Sequence, residues 1–219
     1  MRILKLFAVL LAYPSSDLVA VLPQIAREVS GETALRPATQ DALAGLLAEL
    51  KREDLLDSQA RYVAQFDMRR STSLHLFEHV HGDSRDRGQA MVDLKSLYER
   101  AGLALAPGEL PDFLPAMLEY LSTRSPDEVR DMLGNCEHIL RAVGERLVES
   151  GSPYAAIIAA LLDVQNAAPL SARRGETAPS EPLPDDDWQE IPVDFGPSAA
   201  HSAQQSRPQF IRFVPRHTS

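Results

Sequence analysis

His79-Val80-His81-Gly82-Asp83 sets two imidazoles and a carboxylate within five residues. Those are the side chains that hold a divalent metal and lower the pKa of its bound water, the chemistry of a metal-dependent hydrolase. The spacing fits the first five positions of a His-x-His-x-Asp-His metal pattern, but the sixth position is Ser84. That pattern also belongs to a strand-to-loop setting, whereas the surrounding sequence here has helical periodicity. His75, His138, His201 and His217 add no ligand-like spacing. A hydrolase built on His79, His81 and Asp83 is therefore the second choice.

Between Ser73 and Met91 the chain sets three histidines, three acids and two arginines around Gly82. Glu78 and His79 can satisfy backbone groups at a helix end. Arg85 and Arg87 can pair with Asp83, Asp86 or Glu78 at short helical spacings. Clustering so many polar groups costs desolvation unless they are matched. A polar network bracing a groove between helices is the better expectation, and such a groove would grip a partner peptide by its apolar face and basic groups.

Other chemistries find little support. Neither Gly-x-x-x-x-Gly-Lys nor Gly-x-Gly-x-x-Gly occurs, and no nucleophile-elbow sequence is present. The single cysteine, Cys136, lies on an apolar stripe and reads as a core residue, and it leaves no internal disulfide. A net charge of −9 argues against non-specific nucleic-acid binding.

The elements that must position these residues are helices. The 219-residue chain is long enough for one domain with a core, and its apolar content is mostly Leu and Ala. Ile3, Phe7, Leu10 and Leu11 share one face, and no small-x-small cleavage site precedes Pro14, so the start reads as a first core helix rather than a signal sequence. Ser15 or Ser16 caps a second helix that Gly31 ends, and a third follows Pro37. Leu55 to Phe66 forms a fourth. A fifth runs from about Leu74 to Val80 and is closed by Gly82, and Asp83 or Ser84 caps a sixth carrying Met91, Leu94, Leu97, Tyr98 and Ala101. The next starts between Pro111 and Pro115. Ser125-Pro126-Asp127-Glu128 is a capping box opening one helix with apolar positions from Val129 to Leu147. Ser152-Pro153 opens the last. No apolar run approaches the ~20 residues of a membrane helix. The expectation is an all-α, single-domain helical bundle over residues 1–165.

Periodicity then stops. Half of the 16 prolines fall in the last 55 residues, and residues 166–219 read as a disordered, Pro-rich tail. It contains one acidic and aromatic island, Trp188 to Phe195.

Several strings together resemble a known family. They are Phe66-Asp67, Ser73-Leu74, the run from Leu76-Phe77-Glu78-His79 through Arg87-Gly88-Gln89-Ala90-Met91, Gly102-Leu103, and Glu109-Leu110-Pro111-Asp112 with Leu114-Pro115. They are similar to the NarJ-type chaperones, which assemble the molybdenum cofactor into respiratory nitrate reductase. The similarity runs from the first helix to about residue 165. It implies an all-helical, cytoplasmic, non-catalytic protein with no cofactor of its own, of the molybdoenzyme-chaperone type. Its partner would be the immature catalytic (alpha) subunit of respiratory nitrate reductase, notably the N-terminal segment. The chaperone would hold that subunit open for insertion of molybdopterin guanine dinucleotide, delay membrane attachment, and leave the finished enzyme. Contact with proteins that make the molybdenum cofactor is a further expectation. In the wider class a Glu-Pro-x-Asp-His loop is linked to partner or nucleotide recognition. Here the matching place is Glu109 to Phe113, with Phe113 where the pattern has histidine, so nucleotide binding is not carried over. On this basis Phe77, Glu78, His79, His81, Asp83, Arg85 and Arg87 are expected to line or brace the client groove, with Glu109 and Asp112 nearby.

Overall fold

A computed structural model describes residues 1–80 and 85–171, apart from the side chains of Arg85 and Asp86. All lie within one unit, Met1–Glu181. His81, Gly82, Asp83 and Ser84 lie outside the described residues, as does the chain from 172 onward, including the Trp188 to Phe195 island.

The described residues are helical, with no strand beyond one isolated bridge between His75 and Phe113. α1 (Arg2–Leu11) buries Ile3, Leu4, Phe7, Leu10 and Leu11 on one stripe, as its periodicity predicts. It packs on α6 (Leu114–Ser122) and on α2 (Ser16–Ser30). The Ser15 hydroxyl caps α2 by accepting the Leu18 N–H at 3.2 Å. α3 (Pro37–Arg52) starts on its proline and packs on α2 and on α9 (Ala155–Val164). α9 is apolar almost all round and buried from Ala156 to Val164 except at Ala159, so it is a core helix rather than an amphipathic surface one. Its one carboxylate, Asp163, accepts the Arg36 backbone N–H at 2.8 Å and pairs with the Arg36 guanidinium at 2.8 Å.

Two helices differ from expectation. The apolar stripe from Val129 to Leu147 belongs to two helices, α7 (Pro126–Asn135) and α8 (Glu137–Glu149), which meet at Cys136. Gly134 and Asn135 are weak helix formers at the junction, and Cys136 has left helical geometry at φ −108°, ψ 11°. The Ser125–Glu128 capping box is formed as expected. The second difference concerns Leu74 to Val80. This segment is not an α-helix; it holds only a 3₁₀ turn, Leu76–His79, preceded by another at Arg70–Thr72. The reason is tertiary. Its first residues are bonded to a distant segment, and only 3₁₀-type bonds close within it: Leu76 N–H donates to the Asp112 carbonyl at 3.1 Å, and Leu114 N–H donates to the Leu74 carbonyl at 2.9 Å.

Candidate functional site

Three local features bring the polar run into place. α4 (Leu55–Tyr62) passes into a π-helical turn, Val63–Asp67, the kind of distortion that redirects a helix near functional sites. Tyr62 and Phe66 anchor this stretch, their rings tilted against each other and edge-on to the fully buried Tyr154, and the Tyr62 hydroxyl donates to the Leu11 carbonyl at 2.8 Å. Chain leaving the π turn therefore carries Asp67 to Arg70 outward. α5 (Arg85–Arg100) ends at Gly102, whose φ of +76° reverses the chain into the 103–111 loop. The Gly102 N–H bonds to the Glu99 carbonyl and the Leu103 N–H to the Tyr98 carbonyl, closing the helix end. Tyr98 then holds the loop's far end by donating its hydroxyl to the Pro111 carbonyl at 2.9 Å.

Asp112 is the hub where these pieces meet. It is fully buried (0% exposed). One carboxylate oxygen accepts the Phe77 N–H at 3.1 Å, and the other faces His75 Nδ1 at 3.4 Å. The hydrogen bond from Asp112 raises the His75 pKa above the ordinary imidazole value, against the opposing effect of burial. The His75 ring stacks on Phe113, with centroids 5.2 Å apart. Ser73 holds the segment from the other side: its hydroxyl accepts the His75 N–H at 3.2 Å, and its carbonyl accepts from His79 Nε2 at 2.9 Å.

The expected site residues thus divide by role. Asp112 and His79 are bracing groups whose polar atoms point into the protein, and the Phe77 backbone is part of the same brace. Glu78 and Arg87 line a cleft of about 540 Å³, with 4.0 Å between the Glu78 carboxylate and the Arg87 guanidinium. Phe66, Asp67, Met68, Arg69, Arg70, Ser73 and His75 complete that cleft. Glu109 stands apart from it. It borders a second recess of about 500 Å³ beneath the 103–111 loop, with Leu103, Leu105, Leu110, Lys95 and Glu99. His81 and Asp83 lie outside the described residues, as does the Arg85 side chain, so the two-histidine metal pattern is represented only by His79. Among the described residues no cluster of His, Cys, Asp and Glu is placed to hold a metal ion.

His75, Arg69 and Arg70 have a larger part in the site than spacing indicated. The partner of His75 is 37 residues away, so local spacing could not flag it. The two arginines directly follow Phe66-Asp67-Met68, and nothing in their own spacing singled them out.

The chain as a whole is similar to known proteins. The description of the nitrate reductase delta subunit family matches residues 32–160. The chain is 43% identical over 166 residues to the probable nitrate reductase molybdenum cofactor assembly chaperone NarW of Escherichia coli K12, covering 75% of this chain and 68% of that one. It is 40% identical over 192 residues to the nitrate reductase molybdenum cofactor assembly chaperone NarJ of the same strain, covering 85% and 81%. The nitrate reductase-like protein NarX of Mycobacterium tuberculosis H37Rv is 34% identical over 154 residues, which are 70% of this chain and 23% of that longer one.

Proposed function

The chain belongs to the nitrate reductase delta subunit family, and from that premise we propose that it is a system-specific assembly chaperone for respiratory nitrate reductase. It binds the catalytic subunit before the molybdenum cofactor is in place, keeps it open for insertion, and departs before the finished enzyme works. The observation that carries this is the 40% identity to the NarJ chaperone across 81% of that protein. The client's N-terminal segment is the part recognised, and the encounter takes place in the cytoplasm ahead of membrane attachment. Among the described residues no helix is long and apolar enough to cross a membrane.

The recess under the 103–111 loop is where the client segment docks. Leu103 and Leu105 are partly buried there, Leu110 is 43% exposed, and Glu99 and Glu109 stand at the border. Apolar side chains supply affinity and the carboxylates supply register for a segment with apolar and basic groups. The Asp112 brace fixes this recess and the neighbouring cleft in one geometry, so Phe77, His79 and Asp112 act by holding the surface rather than by touching the client. A synthetic peptide of the catalytic subunit's N-terminal segment, titrated against the chain, is expected to bind at one per chain. Leu110→Glu is expected to weaken it about tenfold or more, with the far-UV signal unchanged. Undiminished binding by that variant would move the docking site elsewhere.

A further inference from the structure

Beside the recess under the 103–111 loop lies a smaller pocket of about 60 Å³. The two share Tyr98, Leu103, Leu105 and Glu109, and α6 closes the smaller one with Glu119 and Tyr120. These last two residues stand one turn beyond Ala116, so a small side chain, a carboxylate and a ring share one helix face there. Tyr120 is only 6% exposed. Its hydroxyl makes no hydrogen bond among the described residues, yet it is not sealed from water. The other buried tyrosines differ. Tyr62 and Tyr98 donate to the Leu11 and Pro111 carbonyls, and the Tyr154 hydroxyl is sealed. A nearly buried ring that lines a pocket with an unmatched polar end is a group left for a ligand. The two carboxylates beside it also have capacity to spare. Glu109 accepts the Ala106 N–H at 3.3 Å with one oxygen, and Glu119 is exposed, with a loose ion pair to Lys5 at 3.9 Å.

We propose that this pocket takes one arginine side chain of the client segment and so sets the segment's register in the adjoining recess; the proposal rests on the docking reading above. The size is right for the tip of a single side chain. At roughly 10–15 Å³ per water, about 60 Å³ holds a group the size of a few waters. The chemistry is one-sided: two carboxylates and a hydroxyl line the pocket, and no lysine, arginine or histidine does. An anionic or apolar tip would leave those groups unmatched. A planar guanidinium can fork onto a carboxylate while lying along a tyrosine ring. The Tyr98 and Tyr120 rings offer that surface, with centroids 5.0 Å apart and an interplanar angle of 39°, and the Pro111 bond fixes Tyr98 in place. Arg124 reaches the Tyr120 ring at 5.1 Å without lining the pocket. Leu103 and Leu105 flank the path that the arginine's methylenes would follow.

The test is titration of the full chain with the synthetic N-terminal segment of the catalytic subunit, and with copies in which each arginine in turn is replaced by citrulline, which keeps the shape and loses the charge. One citrulline copy is expected to bind about tenfold or more weaker than the natural peptide. Glu119→Gln is expected to weaken the natural peptide several-fold and that copy no further, because its partner is already gone. Tyr120→Phe is expected to weaken the peptide a few-fold while the urea midpoint stays put, since the hydroxyl has no partner to lose. Lys5→Gln frees Glu119 and is expected to leave binding equal or tighter. A loss in Lys5→Gln equal to that in Glu119→Gln would mean that the ion pair acts only structurally, and would overturn the proposal. An equal loss for every citrulline copy would mark general charge attraction and overturn it too. Binding lost in Leu110→Glu but untouched by Glu119→Gln and by every citrulline would overturn this pocket and leave the recess standing. A peptide that does not bind at all would overturn the docking reading and this proposal with it.

Discussion

Asp112 accepts the backbone N–H of Phe77 at 3.1 Å, and through that bond two segments 35 residues apart become one brace. The same residue's carbonyl accepts the Leu76 N–H, so side chain and backbone of a single aspartate hold successive amides of the 76–77 turn. Removing the carboxylate leaves a half-buried N–H and a ring nitrogen without this acceptor. Asp112→Ala is expected to lower stability by about 2–4 kcal/mol, and Asp112→Asn, which keeps one acceptor, by less. Urea unfolding measures both. An Asp112→Ala loss within ~0.5 kcal/mol of zero would mean that the brace contributes little.

His75 adds a pH dependence to this brace. Its pKa is raised in the folded chain by the Asp112 hydrogen bond. Folding therefore favours the protonated ring. The stability this contributes is fully present below the unfolded value of about 6.5 and is lost as pH rises through the higher folded value. His75→Gln removes the titration. The stability difference between the natural chain and this variant is expected to shrink as pH is taken from about 6 to about 8.5. A difference that stays constant over that range would rule out His75 as the titrating group.

The chain beyond α9 is fastened to the helical body through at least residue 170. Arg141 donates to the Ala168 and Pro169 carbonyls at 3.0 and 3.2 Å, and Arg36 donates to the Ala167 carbonyl. Leu170 seats over Gly144. A Cβ at position 144 would stand 2.7 Å from Leu170 Cδ2 and 2.8 Å from Ile158 Cγ2. Gly144→Ala is expected to destabilise by about 1–3 kcal/mol. Leu170→Ala in the same chain should recover part of the loss, since the Ile158 contact remains. Thermal unfolding of the single and double variants reads this directly, and a neutral Gly144→Ala would show that Leu170 shifts freely.

The Ser125 cap of α7 offers a local test. The Ser125 hydroxyl and the Glu128 carboxylate satisfy each other's backbone N–H, at 3.3 and 3.0 Å. Ser125→Ala is expected to cost about 1 kcal/mol in urea unfolding, and a smaller effect than a few tenths would show that the exposed helix start frays without penalty.

That cap was legible because a capping box is written in four consecutive residues, and the same holds for Ser15 before α2 and Pro37 at the start of α3. The apolar stripes of α1 and α6 were equally readable, since helical periodicity and burial coincide there. Two things were not. The stripe from Val129 to Leu147 keeps its phase through Cys136, so periodicity alone could not show that the helix breaks there. The Leu74 to Val80 segment has helical spacing of its apolar residues, yet its amides bond to Asp112 and its Leu74 carbonyl to Leu114, partners that only the tertiary fold supplies. The same limit applied to the site. Glu78, Arg87, Glu109 and Asp112 could be named from the sequence, but their division between a buried brace, an arginine-lined cleft and a leucine-lined recess could not.

The most direct measurement is native mass spectrometry of the tagged chain co-expressed with the nitrate reductase catalytic subunit in cells unable to make the molybdenum cofactor, and again with cofactor synthesis restored. A complex with the cofactor-free subunit that disappears once the cofactor is supplied is the result expected of a client-release chaperone. A complex that persists with the cofactor-loaded enzyme, or no complex in either condition, would contradict it.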